Sequence, residues 1–168
     1  MARIPLVAVV TVVLAVCSAS AAKPRNLADS EEFARVVTYA HSLEEHPLAK
    51  DNLQKRMWLT EWIVNTPAVA VAPPYKELDA LDAVNNTYSQ QLRMQALYSQ
   101  AAFQLEHPKV KDPAAIQAAG LAGTLRAYRA IQRFDPSARY PMLDDLMSLE
   151  RQGKLQSYVE RRSRCFDD

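Results

Sequence analysis

The positions of the prolines constrain the fold of this chain more than any other feature of its sequence. The chain has 168 residues, ten prolines and only three glycines, and the prolines after residue 24 stand where stretches of periodic apolar residues stop. Proline lacks a backbone donor and is excluded from helix interiors, whereas helix starts and turns tolerate it. The prolines therefore divide the chain into separate helices, and its abundant alanine, leucine, glutamine and glutamate favour helical structure.

Apolar residues that recur every three or four positions predict an all-α fold of five or six helices, joined as antiparallel hairpins. The first predicted helix covers approximately residues 29–45, and the second begins at residue 47 or 51 and ends at 65. The third begins somewhere between residues 75 and 86 and ends at 106. The fourth and fifth cover residues 113–134 and 141–153, and a short sixth helix contains Leu155, Tyr158 and Val159. Gly120, Gly123 and Ala127 would let another helix approach the fourth helix closely.

The segment Pro67–Tyr75, with the sequence PAVAVAPPY, is unlike the predicted helices. It carries no charge, ends with two prolines before the tyrosine, and alternates valine with small residues. Proline cannot donate to a sheet and is confined there to edge strands. We therefore predict an extended insert laid over the helices, or a short edge strand, at residues 67–75.

The first 21 residues have the features of a secretory signal peptide. A single charge, Arg3, precedes an apolar run from Ile4 to Val16, and the small residues Ala19-Ser20-Ala21 follow. An apolar run of this length is too short for a transmembrane helix, which needs about 20 residues. We expect cleavage after Ala21, with Ala22 as the close alternative, and export to the periplasm or the medium. Residues 22–168 would form one helical domain, with the last few residues disordered.

A lipid anchor is the alternative fate of this N-terminus. Leu14-Ala15-Val16-Cys17 resembles a bacterial lipoprotein box, in which the cysteine becomes the lipidated first residue of the mature chain. That motif requires a small residue immediately before the cysteine. Because Val16 is bulky and β-branched, ordinary cleavage is favoured over lipidation of Cys17.

The composition of the predicted mature chain excludes several classes of partner. Cleavage after Ala21 would remove one of the 20 basic residues and leave 19 of them against 19 acidic residues. We therefore expect no electrostatic attraction to nucleic acid or to anionic membranes. Only Cys165 would remain of the two cysteines, which excludes an internal disulfide. Cys165 is either an incidental thiol or the site of a disulfide between two chains.

Nearly the same phrase occurs twice, as LEEHPLAKD at residues 43–51 and as LEHPKVKD at residues 105–112. Both contain Glu-His-Pro, two variable residues and Lys-Asp. Duplication of a helical hairpin would explain the repetition, but the match is lost outside these positions, so independent use of one helix junction is preferred. The proline would end the incoming helix, and Asp51 and Asp112 would cap the next helices.

Histidines and acids near the predicted helix ends are the candidates for metal or hydrolytic chemistry: His41, His46, His107, Glu44, Glu45 and Glu106. A di-metal carboxylate bundle needs Glu-x-x-His on two helices, and a structural zinc site needs four ligands at recognisable spacing. The sequence shows neither pattern, nor a serine-nucleophile, phosphate-loop or haem-attachment motif. We predict no catalytic residue, cofactor or metal ligand, and expect these side chains to be solvated.

Two tryptophans four residues apart, Trp58 and Trp62, are the candidate binding residues. Such a pair belongs either to the core or to an exposed aromatic ledge for a ligand or a partner helix. With Val69, Val71 and Tyr75 of the extended segment, they make up the predicted binding surface. Glu61 stands between the tryptophans, and we expect it to point outward into solvent.

AYRAIQRFDP at residues 127–136 resembles the end of a tetratricopeptide repeat, where small residues and an aromatic precede Asp-Pro. The whole chain, with RMWLTEWIVNTP, AAFQLEHP and a long helix after them, resembles uncharacterised exported bacterial all-helical proteins. These resemblances imply helical hairpins in a bundle or a tetratricopeptide-like stack, and they supply no functional residues.

The sequence therefore predicts an exported, non-catalytic binding or adaptor protein whose partner is an unknown protein or a small apolar ligand. The alternative is an envelope enzyme, metal-dependent or hydrolytic, that uses His46, His107 and nearby carboxylates. The two hypotheses differ in the residues that they require. Binding would depend on the aromatic surface, whereas catalysis would need the two histidines to meet in the folded chain.

Overall fold

The computed structural model describes residues 25–72, 78, 81 and 87–164, and these residues contain six α-helices and no β-strand. The helices are α1 (Arg25–Glu45), α2 (Asn52–Asn65), α3 (Ser89–Glu106), α4 (Pro113–Phe134), α5 (Pro141–Arg151) and α6 (Leu155–Arg164). The prediction of an all-α fold with five or six helices is confirmed. The predicted signal peptide, Cys17, Tyr75 and Cys165 lie outside the described residues.

Several helix boundaries follow the proline and glycine signals of the sequence. α4 and α5 both begin with proline, at a position where the missing N–H is no loss. Gly153 follows α5 with a φ of 68°. Its N–H donates to the Glu150 carbonyl at 2.9 Å, and the Lys154 N–H donates to the Leu149 carbonyl at 2.9 Å. This pair of bonds satisfies the last carbonyls of α5, so Gly153 ends the helix as predicted.

Two helix starts differ from the prediction. α1 begins at Arg25, four residues before the predicted start, because the good helix formers that follow Pro24 extend the helix beyond its apolar stripe. α3 begins at Ser89, later than predicted. The Ser89 hydroxyl donates to the carbonyl of Leu81 at 2.7 Å. A turn at Thr87 and Tyr88 thus separates the buried Leu81 from α3.

The helices pair as antiparallel hairpins. In the first hairpin, the Phe33 ring of α1 packs on the Trp62 ring of α2 with 6.0 Å between centroids, and Lys55 of α2 donates to Ser42 of α1 at 2.9 Å. The later residue of α1 thus contacts the earlier residue of α2, which shows that the two helices are antiparallel. The second hairpin is formed by α3 and α4, which make the most extensive interhelical contact among the described helices. Within that part of the chain, no helix is long and apolar enough to cross a membrane.

Buried apolar side chains form two clusters that share α3. The first cluster joins α1, α2 and α3 through Val36, Ala40, Leu43, Leu59, Tyr98, Ala101 and Ala102. The second joins α3 with α4, α5 and α6, and its larger members include Leu92, Leu121, Leu125, Tyr128, Ile131, Tyr140, Leu143 and Leu146. α3 is therefore the central helix of the described chain, and α2 lies at one side of it.

The segment after α2 is held along α3 by two glutamines. Thr66 has extended backbone angles, and the residues from Pro67 to Ala72 are not helical. Gln104 accepts from the Ala70 N–H at 3.2 Å and donates to the Ala70 carbonyl at 2.9 Å. Gln100 makes the corresponding bonds with Ala72 at 2.9 and 3.4 Å. Each side-chain amide thus makes the two backbone hydrogen bonds that a neighbouring β-strand would otherwise make. The backbone groups of Ala70 and Ala72 are therefore satisfied without a sheet.

Candidate functional site

A groove between α1 and α2 contains both tryptophans that were predicted as binding residues. Its volume is about 660 Å³, and its walls are Asp29, Glu32, Phe33, Trp58, Glu61, Trp62, Asn65, Thr66, Pro67 and Ala68. The α1 members are spaced at three and four residues, and so are the α2 members. Because residues at this spacing share one face of a helix, each helix presents a single face to the groove.

Contacts with α1 hold the indole rings in place. The ring of Phe33 meets Trp62 edge to face at 83°, and the ring of Tyr39 meets Trp58 at 80° with 5.5 Å between centroids. Such pairs stabilise by about 0.5–1.5 kcal/mol beyond their buried area. The guanidinium carbon of Arg35 lies 5.3 Å from the centroid of the Trp58 ring, in a cation–π contact. Each indole therefore has packing contacts with α1 that do not require a bound ligand.

The predicted binding residues are distributed over two grooves. Trp58 and Trp62 are both half-buried, which is intermediate between the two alternatives of a core pair and an exposed ledge. Val69 and Val71 line a second groove of about 510 Å³ beside α3 and α4. Glu61 is exposed, as expected. The two tryptophans thus share one groove, and the two valines share another.

α2 also exposes a row of apolar side chains, which we call the α2 stripe. It consists of Leu53, Met57 and Val64, which are 67%, 64% and 77% exposed. Their spacing of four and seven residues places them on one face of α2, next to the face that carries Glu61. Apolar residues scattered singly on a surface are ordinary, whereas an aligned row beside a groove is typical of a contact surface.

Glu44 is buried at the junction of α1, α3 and α4, so the expectation that it is solvated was wrong. Its side chain is 2% exposed. Arg126 donates from Nε to Oε2 at 2.7 Å and from Nη2 to Oε1 at 2.9 Å. The Ser99 hydroxyl donates to Oε1 at 2.6 Å. A two-pronged guanidinium–carboxylate pair is among the strongest protein hydrogen bonds, and it compensates the burial of this charge.

His41 links the buried carboxylate to the surface. Its Nδ1 lies 3.0 Å from Glu44 Oε2, and its Nε2 lies 3.0 Å from Glu106 Oε1. Burial alone would lower the pKa of His41, but its bonds to both carboxylates raise the pKa above the ordinary value. Burial favours a higher pKa for Glu44, whereas bonds from Arg126, Ser99 and His41 hold that pKa below its usual range.

Gly123 makes room for this junction. A Cβ atom at that position would overlap the Ser99 hydroxyl and lie 2.5 Å from Glu44 Oε1. One turn earlier, a Cβ atom at Gly120 would lie 2.8 Å from the Ala96 carbonyl. The close approach predicted from these glycines is therefore observed between α3 and α4, and at Gly123 it admits polar groups rather than apolar side chains.

His46 and His107, on which the enzyme alternative depends, lie at the ends of different helices. His46 follows α1 and its side chain is 73% exposed. His107 follows α3 and is exposed, and its ring packs on that of Phe103 with 4.6 Å between the ring centroids. Among the side chains that the structure describes, no three histidines, cysteines or acids are placed to hold a metal ion together.

The residues that α1 contributes to the groove were not found from the sequence. Asp29, Glu32 and Phe33 have the spacing of one helix face, but only the register of the α1–α2 hairpin places that face opposite Trp62. Arg126 was also missed, because its partner Glu44 lies 82 positions away in the chain. The spacing of acid and aromatic residues in α1 was the one signal available for the groove.

Comparison with known proteins adds no relative. No protein-family model matches the chain, and neither the curated proteins nor the solved structures contain a significant match to it. A function for this protein therefore has to be argued from the α1–α2 groove, the α2 stripe and the junction around Glu44.

Proposed function

We propose that this is an exported, non-catalytic protein that binds a partner polypeptide along α2. The partner would occupy the α1–α2 groove and cover the α2 stripe. The observation that carries the proposal is the state of Trp58 and Trp62, which edge-to-face contacts hold in place while part of each indole remains open to the groove. Tryptophan is enriched among the residues that dominate binding energy, and ordering before binding lowers the entropy cost of association.

The shape of the groove favours a polypeptide over a small apolar ligand. Pockets for small ligands bury most of the surface of the bound molecule. Here Glu61, Asn65, Pro67 and Ala68 line the groove and are themselves exposed. A ligand in the groove would thus be covered on one side only. The adjacent α2 stripe extends the contact surface along the helix, which suits a chain rather than a compact molecule.

Crosslinking in the producing cells tests this proposal. A photo-crosslinking amino acid in place of Asn65, an exposed residue of the groove, should give a covalent adduct with one discrete polypeptide. The same amino acid in place of Lys109, exposed in the loop between α3 and α4, is the matched control and should not give that adduct. Adding Trp62→Ala to the Asn65 variant should remove the adduct.

Three results would contradict the proposal. The first is an adduct of the chain with a second copy of itself as the only product. The second is the same set of adducts from positions 65 and 109. The third is complete shielding of both indoles from a small quencher such as acrylamide, because a shielded pair could not offer a surface to a partner.

Export belongs to the same proposal and has its own measurement. The small residues before position 22 should direct cleavage after Ala21, so the intact mass of the protein from its native host should equal that of a chain beginning at Ala22. A chain that retains residues 1–21 would contradict export by this route. A mass that includes a lipid on Cys17 would replace secretion by anchoring.

A further inference from the structure

We infer that the partner segment is basic and that the α1–α2 groove takes its lysine or arginine side chains. The inference rests on the proposed function, since it names the chemistry of the partner in the same groove. Asp29 and Glu32 stand on the α1 wall, and Glu61 stands on the α2 wall. Of the ten residues that line the groove, three are acidic, three are aromatic and none is basic.

The three carboxylates concentrate negative charge at one place on a chain whose formal net charge is +1. Within the part of the chain that the structure describes, none of them forms an ion pair, whereas Glu44, Asp51 and Glu150 all do. Unpaired charges of one sign along a groove produce a local potential that attracts the opposite charge. An acidic segment would be repelled from this groove, and a purely apolar one would desolvate the carboxylates without replacing their water.

The aromatic side chains favour cations in the same place. The Trp58 ring already accepts a guanidinium, that of Arg35, at 5.3 Å from its centroid. Tryptophan is the best aromatic partner for lysine and arginine. Trp62 and Phe33 lie next to Glu61 and Glu32 in the chain, so each wall of the groove carries an aromatic ring and a carboxylate.

The placement of the acids suits a chain with several cations. Asp29 and Glu32 are about one helical turn apart on one wall, and Glu61 lies on the other wall. A compact cation would meet one of these carboxylates, whereas a segment with spaced basic residues would meet all of them. Because the α2 stripe adjoins the groove, the best fit is a segment with basic residues on one face and apolar residues on another, as in a basic amphipathic helix.

Binding of designed peptides to the purified protein tests the inference. The probe is an amphipathic lysine–leucine peptide, and its control carries Nε-acetyl-lysine in place of each lysine, which keeps the methylene groups and a polar end but removes the charge. Tryptophan fluorescence should report saturable binding of the lysine peptide, weakened by added salt. The acetylated peptide should bind at least about tenfold more weakly, because several ion-pair and cation–π contacts are lost together.

Charge-removing variants locate the binding within the groove. Glu32→Gln and Glu61→Gln should each weaken the lysine peptide about two- to fivefold, the size of an exposed ion pair. Glu31→Gln is the matched control, since Glu31 is an exposed acid of α1 that does not line the groove. Arg35→Gln should strengthen binding by a similar factor, because it frees the face of Trp58. A gain that spares the uncharged control peptide would distinguish a freed Trp58 face from apolar surface exposed by misfolding.

Each contrary outcome has a distinct meaning. Equal binding of both peptides, with no effect of Glu32→Gln or Glu61→Gln, would overturn the basic partner and leave the proposed function intact. Binding of neither peptide would also overturn it, and the crosslink from position 65 would then decide whether the proposed function fails as well. If tetramethylammonium binds with the same dependence on Glu61 while the lysine peptide does not, the groove takes small cations rather than a polypeptide, and the inference is wrong.

Discussion

A single carboxylate, that of Glu44, connects three helices through side-chain hydrogen bonds. It lies on α1, accepts both prongs of Arg126 from α4, and accepts the hydroxyl of Ser99 from α3. A buried ion pair contributes little net stability compared with apolar side chains of the same shape. Removing one partner is costly, however, because the other charge then stays at the junction without compensation. The residue therefore fixes how α1, α3 and α4 meet.

Replacing Glu44 by glutamine should lower the free energy of unfolding by about 1–3 kcal/mol, since the shape is kept while Arg126 loses its ionised acceptor. The neighbouring Glu45 is the matched control, because its side chain is 73% exposed. Glu45→Gln should change the free energy of unfolding by less than about 0.5 kcal/mol. Urea denaturation of both variants measures the difference, and equal losses would show that the buried charge does not organise the junction.

The pH dependence of stability should reflect the bonds of His41 and Glu44. The pKa of His41 is raised in the folded protein, so its contribution is complete below its ordinary value of 6.5 and is lost as pH rises through the folded-state pKa. The pKa of Glu44 is lowered, so its contribution is complete above 4.5 and is lost as pH falls through the folded-state pKa. The stabilising contributions of His41 and Glu44 are therefore both complete between pH 4.5 and pH 6.5.

The measurement is urea denaturation across pH with three forms of the protein. The wild type should lose stability as pH rises above 6.5, because the neutral imidazole bonds the two carboxylates less strongly. His41→Gln should flatten that decline, since glutamine cannot become charged. His46→Gln, at an exposed position, should retain it. A decline that persists unchanged in His41→Gln would assign the effect to other groups.

At the scale of elements, the doubled Glu-His-Pro phrase ends two helices in the same way. The His46 N–H donates to the carbonyl four residues earlier at 2.9 Å, and the His46 carbonyl accepts from Ala49 at 3.1 Å. His107 and Val110 repeat these bonds at 2.8 and 2.9 Å. Each phrase therefore stops a helix and forms one turn. His46 and His107 contribute a backbone N–H and a carbonyl to these junctions, as any residue other than proline could.

The two phrases start the following helix differently. Asp112 is extended, with φ −67° and ψ 115°, and its side chain accepts from the Ala114 N–H at 3.0 Å. The predicted cap at Asp51 was wrong, because that residue has helical angles and pairs with Lys55 at 2.9 Å instead. Proline after Asp112 disfavours the helical region for the aspartate, whereas asparagine follows Asp51 and imposes no such limit.

Replacing each aspartate by alanine compares the stability contribution of a helix cap with that of an ion pair. Asp112→Ala should lower the free energy of unfolding by about 1 kcal/mol, the usual contribution of a capping side chain. Asp51→Ala should lower the denaturation midpoint less than Asp112→Ala does, because Asp51 is exposed and caps no backbone N–H. Denaturation midpoints of the two variants give the comparison. A larger loss in Asp51→Ala would mean that the lysine pair, and not the cap, stabilises these junctions.

Local signals were enough to predict the helices, and they failed where distant parts of the chain meet. Prolines and Gly153 marked helix ends correctly because their effect depends on their own backbone geometry. The burial of Glu44 depends on Arg126 in another helix, so no periodicity within α1 could reveal it. The groove depends likewise on the register of α1 against α2. Sequence patterns found one of its walls, through Trp58 and Trp62, and missed the other.

At the scale of the whole molecule, α2 is one of the two described helices with the least interhelical contact, the other being α5. α3 and α4 make the most extensive contact, and α2 touches only α1 and α3 to a small extent. Of its side chains, Leu59 and Asn52 are buried, whereas the α2 stripe faces solvent. Elements with few buried apolar contacts open locally at a lower free energy than the core, and binding surfaces are commonly drawn from them.

Native-state hydrogen exchange should therefore show a lower opening free energy for the amides of α2 than for those of α3 and α4. Exchange from the centre of α4 should follow global unfolding, since its side chains lie within the larger apolar cluster. A ligand that occupies the α1–α2 groove should slow exchange in α2, because local opening of α2 would release the ligand. It should also slow exchange in α4, because binding stabilises the native state against global unfolding. Equal protection of α2 and α4 in the free protein would show that the small contact area does not loosen α2, and ordering of α2 on binding would then contribute nothing to recognition.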